Sequence, residues 1–238
     1  MAEFTLHYWP APFRGEFVRA VLAHAQASWS EAGFEATFAQ RAADPSAQLV
    51  PHMGPPLLTD HRRGVHLSQM PAILAYLGEE FGLFPEGPAL RAMCHKVIGD
   101  TNDVLSEMTR HNGDQIWTQD AWNDFHPRLA RWMAIFEDLG LRHGLTAGSG
   151  FLFATRSPCL ADLVTATQWG TMTAKLPLLR PMLDAHAPNI AGLCDRIGAI
   201  PAQAALAQAE ATRPMATSGA AARSKPRCAR SSDRELTC

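Results

Sequence analysis

Residues 54–77 read GPPLLTDHRRGVHLSQMPAILAYL. The prolines open a short apolar run, LLTD, and HRRG is a polar turn. VHLSQ then reads as the return strand of a hairpin. Behind it Ile73, Leu74, Leu77 and Phe81 recur at helical spacing, one apolar stripe on a helix. Pro71 suits the first helical position, where its missing N–H costs nothing, and this makes Met70 the N-cap. A methionine has no oxygen to accept from the free N–H groups of a helix start, which Ser, Thr, Asp or Asn would satisfy.

Upstream, FTLHYW (residues 4–9) is short, aromatic and alternating, as a strand requires. FVRAVLAHA places Val18, Val21, Leu22 and Ala25 on one helical face. Between residues 33 and 47 the pattern is weak, and a second strand is placed at Phe34 to Phe38. The predicted order is β-α-β-α-β-β-α within about 82 residues. LFPEGP (residues 83–88), with two prolines and a glycine, reads as a linker. Beyond it the strand signal stops. Helical periodicity covers about 89–110, 122–141, 160–174 and 188–199, with Leu129, Trp132, Met133 and Phe136 on one face of the second. The expected domains are residues 1–82, a linker at 83–90, an all-α unit at 91–205 and a tail at 206–238. The tail, rich in Ala, Ser and Arg from about 212 onward, has too few apolar anchors to offset its ordering entropy and is expected to be disordered.

Composition narrows the function. The chain has 238 residues, 47% hydrophobic and 18% charged, with a formal net charge of -2. Its pI is about 6.5. A near-neutral chain has no overall basic field to draw nucleic acid or an anionic membrane. No uncharged run reaches the roughly 18 apolar residues that span a bilayer, and MAEFTLHYWP lacks the pattern of a signal peptide. A cytoplasmic location is expected. Cys94, Cys159, Cys194, Cys228 and Cys238 are scattered and contain no CxxC pair, and the ten histidines form no HExxH motif. Neither a disulfide framework nor a metal site is predicted.

LHYWPAPFRGEFVRAVL, GPPLLTD, LSQMPAILAYL and SPCLADLVTA, in this order across residues 4–205, resemble the glutathione transferase family. The resemblance implies an α+β architecture: a thioredoxin-like N-terminal α/β domain that binds glutathione, then an all-α helical-bundle domain that shapes the second-substrate pocket. It also implies a homodimer, no permanently bound cofactor, and glutathione as co-substrate with a small hydrophobic electrophile or a peroxide.

Each motif has a physical job. At a pKa near 8.5 only about 3% of a thiol is ionised at pH 7, and the thiolate is the nucleophile. A hydrogen bond aimed at the sulfur favours the charged form, and a drop of about two units would ionise about three quarters of it. In the tyrosine-type transferases the residue that does this ends the first strand, as Tyr8 does. Serine- and cysteine-type relatives place theirs a few residues later, and Trp9 to Arg14 contains neither residue type. Arg14 matches an arginine that such enzymes set near the carboxylates or sulfur of glutathione, where a guanidinium can bind carboxylate as a fork.

GPPLL matches the segment whose proline is cis and whose preceding residue pairs its backbone with the cysteinyl part of glutathione. Pro56 takes the cis position and Pro55 the pairing position. Pro55 has no N–H, so half of that clamp is missing. Gln69 and Met70 match the Gln/Glu-Ser pair that meets the γ-glutamyl carboxylate at a helix N-terminus, a natural anion site. With methionine there the hydroxyl is gone, a loss of about 1.5–3 kcal/mol. CLADL matches a capping box in which Asp162 is structural and Cys159 stands for the capping hydroxyl. Three readings remain. One is a glutathione transferase; another is a non-catalytic transferase-like module for dimerisation or protein binding, with weak or no glutathione binding; the third is a glutathione-dependent isomerase, dehalogenase or reductase on the same scaffold, which shares Tyr8 and is not separated from the first by sequence.

Overall fold

The computed structural model describes residues 2–110 and 115–212. It begins with β1 (Phe4–His7), α1 (Arg14–His24), β2 (Trp29–Glu31) and α2 (Phe34–Ala42). After a 3-10 turn at Pro45–Ala47 come β3 (Leu57–Asp60), β4 (Val65–Ser68) and α3 (Met70–Glu80). The strands form one mixed sheet in the order β2-β1-β3-β4. β1 runs parallel to β2 and antiparallel to β3, which is antiparallel to β4.

The hairpin and α3 lie where their apolar patterns put them. Phe4 and Leu6 of β1 are fully buried, as are Ile73, Leu74 and Leu77 of α3. The second strand does not lie at Phe34 to Phe38. The edge strand is Trp29–Glu31, paired with Phe4–Leu6, and Phe34–Ala42 is helical. Gly33, at φ +80, turns the chain between them in a conformation that suits glycine. FEATFAQRA is rich in helix formers, and β1 selects the edge strand by pairing, which a weak local pattern does not reveal. α1 also differs from a one-faced helix: Gly15 through Ala23 are all buried, because α3, α6 and α9 (below) pack around it.

The remainder of the described chain is helical: α4 (Pro88–Met108), α5 (Gln119–Leu141), α6 (Leu160–Lys175), α7 (Arg180–His186), α8 (Pro188–Gly198) and α9 (Pro201–Thr212). The fold is thus a thioredoxin-like α/β unit followed by an all-α unit. α7 carries no sequence signal of its own. α9 covers residues 206–212 of the expected tail, which are helical rather than disordered; the predicted tail from 213 onward lies outside the described residues. PAQAALAQAEAT has few large anchors, but alanine is the best helix former. Leu206 packs against Ala20 and Ala23, and Gln203 donates to the Ala20 carbonyl at 2.8 Å.

One hydrophobic core runs from Phe4 and Leu6 through α3 and α4 to Trp169 of α6, which meets Phe136 edge to face at 5.4 Å. Two buried acids close helix starts. Asp162 accepts from the N–H of Leu152 at 2.7 Å and of Cys159 at 2.8 Å, so it holds both the start of α6 and the loop before it. The Cys159 sulfur faces the Asp162 N–H as the other half of a capping box. Glu137, from α5, accepts from the N–H groups of Asn189 (3.1 Å) and Ile190 (3.1 Å) at the start of α8, whose own N-cap is Ala187.

Candidate functional site

Sheet register brings distant segments to one place. His7, Leu57 and Ser68 occupy one row across β1, β3 and β4. The residues just beyond that row are Tyr8 after β1, Pro56 before β3 and Gln69 after β4. Adjacent strands lie about 4.8 Å apart, so the three emerge within about 10 Å along one end of the sheet. The Pro55–Pro56 peptide bond is cis.

Tyr8 lies immediately past β1, with its side chain packed so closely on Gly15 that a Cβ there would meet Tyr8 Cδ1 at 2.3 Å. It is 7% exposed. Burial pushes its phenol above the ordinary tyrosine value, while the Arg14 charge and the N–H groups of Arg14 and Gly15 at the start of α1 pull the other way. The net rise keeps the phenol protonated at neutral pH, as a hydrogen-bond donor must be. Arg14 is the first residue of α1, and its Nε donates to Asn102 Oδ1 of α4 at 3.4 Å.

Arg19, which the sequence analysis gave no role, organises this corner. It is 1% exposed. Its guanidinium makes a forked pair with Glu31 (2.8 and 3.1 Å) and bonds Glu16 at 3.0 Å. The remaining donors reach the carbonyls of Trp9 (3.1 Å) and Ala11 (3.4 Å), and the group lies 5.7 Å from the centre of the Tyr8 ring. One buried cation therefore ties the loop after Tyr8 to both α1 and β2. A cation this deep needs such a full set of acceptors. Trp9 starts a run of rings that continues to Phe34 (5.3 Å) and Phe38 (6.3 Å from Phe34), the latter two about half exposed.

Gln69, not Met70, is the N-cap of α3, and this corrects the sequence reading. Pro71 is the second helical residue. Gln69 has φ +72 and ψ 119, a strained backbone for a residue with a side chain. Its carbonyl accepts the Ile73 N–H at 3.0 Å, so the N–H groups ahead of the first helical bond are those of Met70 and Ala72. The Met70 side chain is 0% exposed and belongs to the core. Methionine has no oxygen to offer the helix start, and its apolar side chain is buried with the core instead.

Asp60 closes the other end of the hairpin. It accepts from Arg62 N–H, Nε and Nη2 at 2.9, 3.1 and 2.8 Å and from the Tyr76 hydroxyl at 2.8 Å. Despite its burial, these bonds hold its carboxyl down at about 2. Asp162 lies apart, at the start of α6. Among the described residues no group of three His, Cys, Asp or Glu could hold a metal ion, and no helix is long and apolar enough to cross a membrane.

Solved structures share this fold at low identity. A Nu-class glutathione transferase from Haemonchus contortus matches with TM-score 0.68 and 20% identity, covering 90% of this chain and 98% of that one. A Pi-class enzyme from Onchocerca volvulus matches with TM-score 0.71 and 18% identity, covering 91% and 99%. Monomeric Na-GST-3, from the hookworm Necator americanus, matches with TM-score 0.69 and 18% identity, covering 89% and 98%. Among curated protein sequences no match is found. The family model for the glutathione S-transferase C-terminal domain matches residues 93–221, more than half of the chain. With the four-stranded α/β unit ahead of that domain, the chain belongs to the glutathione S-transferase family.

Proposed function

We propose that this chain is a glutathione transferase that binds glutathione at the sheet end and uses its thiolate against a small hydrophobic electrophile or a peroxide. The observation that carries this reading is the convergence of Tyr8, the cis Pro55–Pro56 bond and the strained Gln69 just past one row of the sheet. The Tyr8 hydroxyl donates to the glutathione sulfur and so favours its ionised form. The sulfur pair then attacks carbon, forming the C–S bond while the leaving group departs with the electrons of the bond that breaks. Arg14 supplies positive charge beside the phenol. The γ-glutamyl carboxylate meets Gln69 and the N–H groups of Met70 and Ala72 at the start of α3. Pro55 offers its carbonyl to the cysteinyl N–H. The exposed rings of Phe34 and Phe38, continuous with Trp9, supply apolar surface next to the Tyr8 loop.

The test is conjugation of chlorodinitrobenzene together with calorimetric glutathione binding, in the wild type and in Tyr8→Phe. The expected result is binding in both and conjugation reduced roughly tenfold to a hundredfold in the variant. Absence of glutathione binding at millimolar ligand in the wild type overturns the reading. A second reading, a non-catalytic transferase-like module, is favoured by two losses at the same place: the N–H absent from Pro55, and the hydroxyl absent at Met70, whose side chain is buried. It expects neither binding nor turnover. Under the transferase reading the protein is cytoplasmic and a homodimer, and light scattering on the purified chain checks the dimer.

A further inference from the structure

His7 ends β1 opposite Leu57, one residue short of Tyr8 on its own strand and of Pro56 on the next. Side chains alternate between the faces of a sheet, so His7 and Thr5 point away from Phe4 and Leu6, which enter the core. Histidines gather on that outer face. His66 of β4 meets Thr59 Oγ1 through Nδ1 at 3.0 Å, and His61, just after β3, meets Thr5 Oγ1 through Nε2 at 2.7 Å. His52 stands in the loop that leads to the cis Pro55–Pro56 bond, and its charge acts on His7 together with those of His66 and His61. The nearby carboxylates are directed elsewhere. Asp60 and Glu31 pair with Phe4 and Leu6 and so take the core face, and Glu3, at the far end of the strand, accepts from the Ser28 N–H at 3.0 Å. α2, which packs on β1, buries Thr37 and keeps Glu35 and Arg41 exposed.

His7 is 9% exposed, and its Nδ1 is buried with no bonded partner among the described residues. A neutral imidazole tolerates this by carrying its proton on Nε2. An imidazolium does not, because both nitrogens are then donors, and a buried Nδ1–H without an acceptor adds its desolvation to the repulsion from the neighbouring histidines. His66 and His61 are bonded to threonines of the sheet. His52 lies outside it, in a loop closed on Gln48, which accepts from the His52 N–H at 2.7 Å and donates to the His52 carbonyl at 3.0 Å. That loop is tied to α2 by the Leu49 N–H, which donates to Gln40 Oε1 at 3.0 Å. Moving His52 therefore relieves the repulsion without breaking the strand ladder, and only Met53 and Gly54 separate it from Pro55. We infer that His7 is a proton-operated control on the sheet-end site: proton uptake displaces the segment from His52 to Pro56 and weakens glutathione binding. This rests on the glutathione reading given above.

The probe is S-hexylglutathione, titrated into the full chain by calorimetry from about pH 7 to about pH 5.5. It has no thiol to ionise, and over this range its carboxylates stay charged and its amine stays protonated. Binding should weaken about threefold or more across the range, one proton permitting at most about tenfold per pH unit. By linkage, binding near pH 6 should release protons, seen as a heat that varies with the ionisation enthalpy of the buffer. His7→Gln should bind as the wild type does at neutral pH and lose both effects, with His7→Asn in its place if His7→Gln does not fold. Circular dichroism at each pH confirms that the chain stays folded. Constant affinity without proton release in the wild type, or both effects persisting in a folded His7 variant, overturns the inference and leaves the glutathione reading standing. Absence of binding at neutral pH overturns the glutathione reading and this inference with it, so the two failures are told apart.

Discussion

A methyl group at Gly15 would lie 2.3 Å from Cδ1 of Tyr8 and 2.4 Å from Cγ, closer than any carbon contact allows. In an open helix Gly15→Ala would stabilise by about 1 kcal/mol, but here it must displace the ring. Gly15→Ala is therefore expected to keep the fold by circular dichroism and to lose about tenfold or more in kcat/KM for conjugation, the signature of a misplaced Tyr8. On the proposed transferase reading, Tyr8→Phe removes one hydrogen bond to a charged sulfur, about 1.5–3 kcal/mol, and is expected to lose roughly tenfold to a hundredfold in kcat/KM with glutathione affinity little changed. Steady-state kinetics with both substrates varied checks each. At Met70 the expectation is reversed from that of a ligand residue. Met70→Ala should cost about 3 kcal/mol of stability in a urea titration, because it empties a core position.

At the scale of elements, the β3–β4 hairpin is held to α3 by a carboxylate. Asp60 is 1% exposed, bonded to both Arg62 and Tyr76, and its carboxyl sits at about 2 against an ordinary 3.8. A depressed folded value means that the unfolded chain takes up the proton first on acidification. The contribution of Asp60 is complete above about pH 4 and disappears as the pH falls through about 2, and its size is about 2 kcal/mol. Asp60→Asn should lower unfolding free energy by about that amount at pH 7, and the gap should close near pH 2 in urea titrations at stepped pH. Glu137 makes a similar tie between α5 and α8 through backbone N–H groups. These two acids explain why the hairpin keeps its angle to α3 and why α8 begins where it does.

Across the whole molecule, two histidines set the acid side of stability. Burial lowers the value of His7, and the neighbouring His52, His66 and His61 lower it further; burial alone lowers His24. The Nδ1 atoms of both are buried with no bonded partner among the described residues. Their folded values lie below the ordinary 6.5, so the unfolded chain binds protons more readily. Stability should fall as the pH drops below about 6.5 and level off once it passes the folded values. Tm measured from pH 8 to pH 5 should show this decline, and His7→Gln should flatten part of it.

Much of this protein was legible without coordinates. Ile73, Leu74 and Leu77 announce their helix by spacing, and PPLLTD-HRRG-VHLS announces its hairpin, because hydrophobic period and turn chemistry are local properties. Tyr8, the Pro-Pro pair and Gln69 could likewise be picked out, and the fold gathers them just past one row of the sheet. What the sequence could not determine depends on neighbours far along the chain. The edge strand is Trp29–Glu31 because β1 pairs there, and the cap of α3 is Gln69 because the core takes the side chain of Met70. Arg19 acquires its role only when Glu31 and the Trp9 carbonyl arrive around it. α9 persists because α1 offers Ala20, Ala23 and a carbonyl to receive it. Local pattern fixes the strongly periodic helices and the β3–β4 hairpin. Only tertiary packing decides which side chains are buried, because burial is a property of what surrounds a residue.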